Sequence, residues 1–137
     1  MLNVFKGLAV CLVTLLPCAA SAAEEAPFTV GGTTVVDTDQ AMTLFEEEAH
    51  FFDARKPSDF EAGRVPGAVN FFAKQTDSAD MVLEVARKED VIVVYCNGPR
   101  CLMSAVLAEN LVAWGFTEVR YYRDGFPAWY NAGYPIE

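Results

Sequence analysis

The stretch VIVVYC, residues 91–96, decides the fold. An unbroken apolar run of this length is typical of a parallel β-strand that is covered on both faces. After a short loop, apolar residues recur at helical spacing from Leu102 to Trp114, and Gly115 marks the end of that helix. The sequence therefore predicts that Cys96 lies where a buried strand ends and a helix begins.

Segments typical of strands and helices alternate along the rest of the chain. β-branched and aromatic residues predict extended segments at residues 33–37, 51–55, 65–72 and 118–122. Capping residues and apolar spacing predict helices at 40–48, 56–63 and 78–88, and a short turn around Trp129. We expect Thr38 or Asp39 to cap the first helix and Ser58 the second. This alternation predicts an α/β fold of three layers, a mostly parallel central sheet of about five strands with helices on both faces.

The N-terminus has the pattern of a secretory signal peptide. Lys6 gives a basic start, residues 7–16 form an apolar run too short to span a bilayer comfortably, and small residues lead to Ala22. An uncleaved anchor and a lipid-modified Cys18 are the alternatives. The predicted divisions are a signal peptide over 1–22, a leader over 23–32 and a domain over 33–137. We therefore expect a protein exported to a bacterial periplasm, with no stable membrane span after cleavage.

Charge and cysteine content narrow the class of partner. The formal net charge is −9, and cleavage would remove Lys6 and no acidic residue, so nucleic acid is not an expected partner. Only Cys96 and Cys101 remain after cleavage, and the single histidine is His50, expected at the surface or at a strand edge. No metal site is predicted, because these residues lack the spacing of zinc ligands.

Five blocks in order resemble the rhodanese-like sulfurtransferase domain. They are Phe52–Arg55, Phe60–Asn70, Val93–Cys96, Gly115–Val119 and the segment from Asp124 to Pro135. The resemblance covers nearly all of the predicted mature chain and implies the three-layer fold given above. It also implies that Cys96 accepts sulfur and that no metal or organic cofactor is needed.

The loop after Cys96 departs from the family's common form. It is two residues longer, Met103 stands where arginine is usual, and Cys101 adds a second cysteine. In this form it is similar to a subset of exported rhodanese-like proteins with a Cys-Asn-Gly-Pro-x-Cys loop. The residues expected to form the loop and bind substrate are Asn97, Gly98, Pro99, Arg100, Leu102, Met103 and Ser104.

Sulfur chemistry explains why these residue types suit the loop. A cysteine is nucleophilic as the thiolate, which backbone N–H groups and a helix N-terminus favour. The resemblance implies a cradle of N–H groups around the sulfur. Gly98 would allow a positive φ or a close backbone approach, and Pro99 would stiffen the loop. Arg100 either recognises an anionic donor or points into water. The expected cycle moves sulfane sulfur from thiosulfate or a persulfide donor to Cys96, and then to a thiol or cyanide acceptor.

Cys101 has three interpretations. It could attack a Cys96 persulfide, releasing sulfide and closing a disulfide. The same disulfide could be a resting oxidised form, or Cys101 could be a buried free thiol. Spacing alone does not show whether the two sulfurs meet.

Other residues are expected to support the site. Asp53 and Arg55 either support the loop or form an ion pair that holds the Pro66-Gly67 turn. Ser104 donates to the loop or caps the helix. Phe126 and Trp129 are expected to seal the core.

Three other classes of function can be compared with the residues. A phosphatase or arsenate reductase needs arginine six residues after the nucleophile, but position 102 is Leu. A thiol-disulfide redox protein would use Cys96 and Cys101, although their separation exceeds the Cys-x-x-Cys spacing of redox enzymes. A catalytically degenerate binding module is the non-enzymatic alternative. The sequence names neither the donor nor the acceptor, and it gives no oligomer signal.

Overall fold

The computed structural model describes residues 22–137, so the predicted signal peptide lies outside the described residues except for Ala22. The order of elements is β1 (Thr34–Val35), α1 (Thr38–Glu46), β2 (His50–Asp53), α2 (Pro57–Ala62), β3 (Val69–Asn70), α3 (Ala79–Leu83), β4 (Ile92–Tyr95), α4 (Met103–Ala113), β5 (Val119–Tyr122) and α5 (Gly125–Asn131). Within this part of the chain, no helix is long and apolar enough to cross a membrane.

The central sheet has five strands, all paired in parallel, in the order β1-β5-β4-β2-β3. The strand predicted from residues 91–96 is β4, and it lies at the centre of the sheet. All four of its residues are buried, as expected for a strand covered on both faces. The predicted α/β fold with a parallel sheet is confirmed.

Helices cover both faces because successive strand residues point in opposite directions. On one face, Phe52 and Val94 pack with apolar residues of α3 and α4. On the other, Phe51 and Val93 pack with residues of α1 and α5, including the fully buried Trp129. Trp129 therefore belongs to the core, as the sequence predicts.

The predicted helix starts need correction. Asp37, rather than Thr38 or Asp39, caps α1: its Oδ1 accepts from the Gln40 backbone N–H at 2.8 Å, and Gln40 Oε1 accepts from the Asp37 N–H. Ser58 lies inside α2, because Pro57 occupies a first-turn position where its missing N–H costs nothing.

Other predicted elements differ in length. The helix expected at 78–88 ends at Leu83, and a turn follows in which the Asp90 carboxylate accepts from the Arg87 backbone N–H at 2.8 Å. Only Val69–Asn70 of the extended segment 65–72 pairs in the sheet. The turn expected around Trp129 is a helix, α5.

Part of the predicted leader packs on the domain. Ala26 and Val30 are buried, and the Tyr121 hydroxyl donates to the Pro27 carbonyl at 3.0 Å. Phe28 is largely exposed, but the guanidinium of Arg123 lies over its ring. From Ala26 onward the predicted leader is therefore packed against the domain.

Two buried tyrosines make stability sensitive to alkaline pH. Burial raises the pKa of Tyr122 to about 12, and burial followed by the charge of Asp53 raises the pKa of Tyr95 further. The unfolded chain loses these protons near pH 10, before the folded chain does. The contribution of the two tyrosines to the free energy of unfolding is therefore fully present below that pH and is lost as pH rises. Urea unfolding followed by circular dichroism should give a lower free energy at about pH 11 than at about pH 9.

The control for this prediction is Tyr122→Phe, which removes one of the groups that ionise in this pH range. Its free energy of unfolding should fall less between the two pH values than that of the unsubstituted protein. Equal losses in both proteins would contradict a contribution from Tyr122.

Candidate active site

The candidate site lies at the carboxyl edge of the parallel sheet, where ligands bind in open α/β folds. β2 ends at Asp53, β4 ends immediately before Cys96, and β5 ends immediately before Arg123. Cys96 is completely buried at the junction of β4 and the loop. Its predicted position between strand and helix is confirmed.

The active loop, residues 96–102, turns sharply between β4 and α4. Gly98 has a φ of 102°, the positive value predicted for it, and the Cys101 backbone N–H donates to its carbonyl at 2.9 Å. Leu102 precedes α4 and gives no side-chain cap to the helix. The first-turn N–H groups of α4 are therefore not used by a capping side chain and can interact with an anion.

Cys96 and Cys101 are joined as a disulfide, with their Cα atoms 6.1 Å apart. Of the three interpretations of Cys101, the free thiol does not describe this structure. The two cysteines differ in exposure: Cys96 is fully buried, whereas Cys101 is partly exposed.

The N-terminus of α5 holds the start of the loop. The Phe126 backbone N–H donates to the Cys96 carbonyl at 2.9 Å. Gly125 approaches the loop so closely that a Cβ there would clash with the Cys96 carbonyl and would lie 2.9 Å from the Gly98 nitrogen. A glycine is therefore required at this contact, on spatial grounds as well as for its φ of 67°.

The segment before β1 holds the middle of the loop. The Ala26 backbone N–H donates to the Pro99 carbonyl at 2.7 Å. Arg123 fixes this segment, because its Nε donates to the Ala26 carbonyl at 3.0 Å and its guanidinium lies 3.4 Å from the Glu25 carboxylate. Arg123 thus acts on the loop through Ala26.

Replacing Arg123 with Gln should loosen this contact. Loss of the guanidinium hydrogen bond is expected to cost about 1 kcal/mol and to speed amide exchange in residues 24–30 and 97–100. Hydrogen-deuterium exchange measures both segments. Arg120→Gln is the matched control: Arg120 lies in β5 and pairs with Glu118 just before that strand, so its loss should leave exchange in the loop unchanged.

Asp53 and Arg55 form a buried ion pair beneath the loop. Arg55 donates to Asp53 through Nε and Nη2, with the Nη2 contact at 2.6 Å. Burial lowers the pKa of Arg55, but the hydrogen bonds and charge of Asp53 outweigh this and raise it. The predicted pair is confirmed, but the Pro66-Gly67 turn is held elsewhere: Gly67 donates to the Glu137 carboxylate at 3.2 Å.

Arg55 also connects this pair to the loop. Its Nη2 donates to the Gly63 carbonyl at 2.6 Å, and its Nη1 lies 3.5 Å from Asn97 Oδ1. Asn97 in turn donates to the Asp59 carboxylate at 2.9 Å. Phe126 stacks on the guanidinium, with the Arg55 Cζ 4.4 Å from the ring centroid, so it covers the ion pair as well as part of the core.

The remaining predicted loop residues have different environments. Pro99 and Arg100 are exposed, so Arg100 is available to solvent. Met103 is half-buried against the core and begins α4. Ser104 is buried, and its hydroxyl has no hydrogen-bond partner among the described residues, so neither predicted role for it is seen in this oxidised state.

A cavity of about 260 Å³ opens over the disulfide. Its lining combines both cysteines with a mainly basic rim and two apolar side chains. The lining residues are Arg55, Lys56, Asp59, Phe72, Lys74, Cys96, Asn97, Cys101 and Met103. The basic side chains of this rim make the cavity attractive to anions, although the chain as a whole is acidic.

The sequence did not predict the basic rim, nor the two backbone contacts that hold the loop, from Phe126 to Cys96 and from Ala26 to Pro99. Lys56 lies at the start of α2 and Lys74 follows β3, so only the strand order brings them to Cys101. Gly125 had a signal, since Asp-Gly after a strand predicts a tight turn, but its contact with Cys96 depends on β4 and β5 being neighbours. Nothing in the sequence marked Arg123.

His50 lies at the opposite edge of the sheet. It begins β2, is half-buried, and its Nε2 lies 3.4 Å from the Asp90 carboxylate. The strand-edge position predicted for it is confirmed.

Comparisons with known proteins agree with this geometry. The family model described as "Rhodanese-like domain" matches residues 37–132. The thiosulfate sulfurtransferase GlpE of Vibrio cholerae is 31% identical over 103 residues, covering 74% of this chain and 92% of that protein. The chain also matches the HTH-type transcriptional regulator Rv0324 of Mycobacterium tuberculosis, at 33% identity over 66% of this chain but only 38% of that protein.

A solved structure supports the fold. The Alr3790 protein of Anabaena sp. superposes with a TM-score of 0.65 at 23% identity, covering 74% of this chain and 90% of that one. The family model, the curated relatives and the fold agree, and this chain belongs to the rhodanese-like family.

Proposed function

We propose that this protein is an exported sulfurtransferase that moves sulfane sulfur from thiosulfate or a persulfide donor to a thiol or cyanide acceptor through a Cys96 persulfide. The observation that carries the proposal is the position of Cys96, at the end of the central strand and before a helix whose start has no capping side chain. The thiosulfate sulfurtransferase relatives favour the same chemistry.

The first half of the cycle loads sulfur. The Cys96 thiolate attacks the sulfane sulfur of thiosulfate, the S–S bond of thiosulfate breaks, and sulfite leaves with the electron pair. The basic rim at Lys56 and Lys74 attracts the dianion. First-turn N–H groups of α4 would stabilise the thiolate, the departing oxyanion and the persulfide, which is the role proposed for the cradle.

The second half removes sulfur in one of two ways. An external thiolate attacks the outer sulfur of the persulfide and releases the Cys96 thiolate. Alternatively, the Cys101 thiolate attacks the inner sulfur, a Cys96–Cys101 disulfide forms, and hydrogen sulfide ion leaves. This second route would end in the Cys96–Cys101 disulfide that the structure contains, and neither route needs a metal or an organic cofactor.

The test is loading of the reduced protein with thiosulfate, followed by released sulfite and intact mass. We expect the unsubstituted protein and Cys101→Ser to release one equivalent of sulfite and Cys96→Ser to release none. Cys101→Ser should retain the added sulfur longest, because nothing within the chain displaces it. Absence of sulfur uptake by the unsubstituted protein, from thiosulfate and from a persulfide donor, would contradict the proposal.

The disulfide favours one second candidate, a thiol-disulfide redox protein that uses Cys96 and Cys101. Such a protein would exchange its disulfide with a thiol partner and take up no sulfur in the same experiment.

Export to a bacterial periplasm is a separate part of the proposal and rests on the pattern of residues 1–22. Mass measurement of the protein recovered from the periplasm should give an N-terminus at Ala23.

A further inference from the structure

We propose that an external thiolate reopens the Cys96–Cys101 disulfide by attacking Cys101, so that Cys96 is the sulfur that leaves. The cavity over the disulfide would be the binding site of that reagent, and its basic rim would select anionic thiols. This inference rests on the proposed function, in which Cys96 accepts sulfur and Cys101 resolves the persulfide.

Exposure decides which sulfur is attacked. In thiol-disulfide exchange, the thiolate attacks one sulfur along the line of the S–S bond, and the other sulfur leaves. Both cysteines line the cavity, but Cys96 has no exposed surface, whereas Cys101 is partly exposed. A thiolate in the cavity can therefore reach Cys101 without any movement of β4.

The identity of the leaving group follows from the site of attack, because the sulfur that is not attacked takes the electron pair of the broken bond. Exchange at Cys101 would thus release Cys96 directly as the thiolate that the next round of sulfur loading requires.

Charge in the cavity defines the class of thiol. Three basic residues line it and one acidic residue, Asp59. Arg55 is balanced by Asp53, and Lys56 lies 3.9 Å from Asp59, which leaves Lys74 without an ion-pair partner among residues 22–137. An anionic thiol therefore gains attraction at Lys74, and a cationic thiol meets repulsion.

The exchange balances in two steps. First, the thiolate RS⁻ bonds to the sulfur of Cys101, the Cys96–Cys101 bond breaks, and Cys96 takes the electron pair. Second, another RS⁻ attacks the mixed disulfide, giving RSSR and the Cys101 thiolate. The protein gains two electrons, and two thiols of the reagent are oxidised.

The experiment maps the mixed disulfide. The oxidised full chain is mixed with 2-mercaptoethanesulfonate, quenched with acid at early times, and its free thiols are blocked with N-ethylmaleimide. Trypsin cleaves after Arg100 and so separates the peptide of Cys96 from that of Cys101. We expect the sulfonate adduct on Cys101 and maleimide on Cys96; an adduct on Cys96 would overturn the inference.

Charge selection has its own control. Lys74→Gln should lower the ratio of the rate with 2-mercaptoethanesulfonate to the rate with cysteamine by about threefold or more, and added salt should reduce this effect. Lys88→Gln is the matched substitution at the opposite edge of the sheet, just before β4, and should leave the ratio unchanged. Equal ratios in both variants would overturn the assignment of the cavity to anionic thiols.

Failure of this inference can be told apart from failure of the proposed function. The mapping uses no sulfur donor, and sulfite release uses no external thiol. Normal sulfite release together with an adduct on Cys96 would reject only the exchange route.

Discussion

Replacing Gly125 with Ala is expected to lower the rate of sulfur loading about 100-fold and to destabilise the fold by roughly 2–5 kcal/mol. The new methyl group would overlap the Cys96 carbonyl and press on the Gly98 nitrogen, which are both backbone atoms of the active loop. Neither can rotate away as a side chain could, so the loop itself must shift. The measurements are the rate of sulfite release and thermal unfolding.

Gly133→Ala separates the steric effect from the conformational one. Gly133 has a φ of 76°, close to that of Gly125, but a Cβ there would meet no atom within 4 Å. It should therefore show only the cost of a left-handed alanine, about 1–2 kcal/mol, with a normal loading rate. If the two variants behave alike, the close approach of Gly125 does not shape the loop.

The second large effect is expected at the buried ion pair. Arg55→Met would leave the Asp53 carboxylate fully buried without its cation, and such a loss costs about 3–5 kcal/mol. It would also remove the donors to Gly63 and Asn97, so the active loop should exchange its amides faster. Urea unfolding and hydrogen-deuterium exchange measure the two effects.

Arg64→Met is the control, with the same substitution at an exposed ion pair. Arg64 pairs with Glu137 at 2.7 Å, but both side chains are partly exposed to water. The expected loss is about 0–1 kcal/mol, with no change in loop exchange. A loss at Arg55 as small as that at Arg64 would mean that Asp53 gains water or another partner when the arginine is removed.

The strand ending at Cys96 could be predicted because its signal is local. Five successive apolar residues identify a buried strand without any knowledge of its neighbours. The ion pair of Asp53 and Arg55 was also accessible, because the two residues are two positions apart at a strand end. Local patterns of this kind predicted the fold class and the position of Cys96 between a strand and a helix.

Features that depend on strand order could not be predicted in the same way. Lys74 and Cys101 share a cavity because β3, β2 and β4 are neighbours, which no local pattern states.

Helix caps were missed for a different reason: Asp37, Thr38 and Asp39 are all good capping residues, and the reciprocal bond with Gln40 selects the first. The contacts of the predicted leader could not be predicted, because they are made with residues far along the chain, among them Pro99 and Tyr121.

The pairing of the first strand with the last has a consequence for the order of folding. β1 can join the sheet only after β5 exists, since Thr34 aligns with Arg120 near the other end of the chain. The loop depends on the same two ends, through Ala26 and Phe126. Contacts of such long sequence separation form late, because closing a long segment is entropically costly. A chain still being synthesised would thus carry Cys96 without the surroundings that shape it, and the reactive centre would be assembled last.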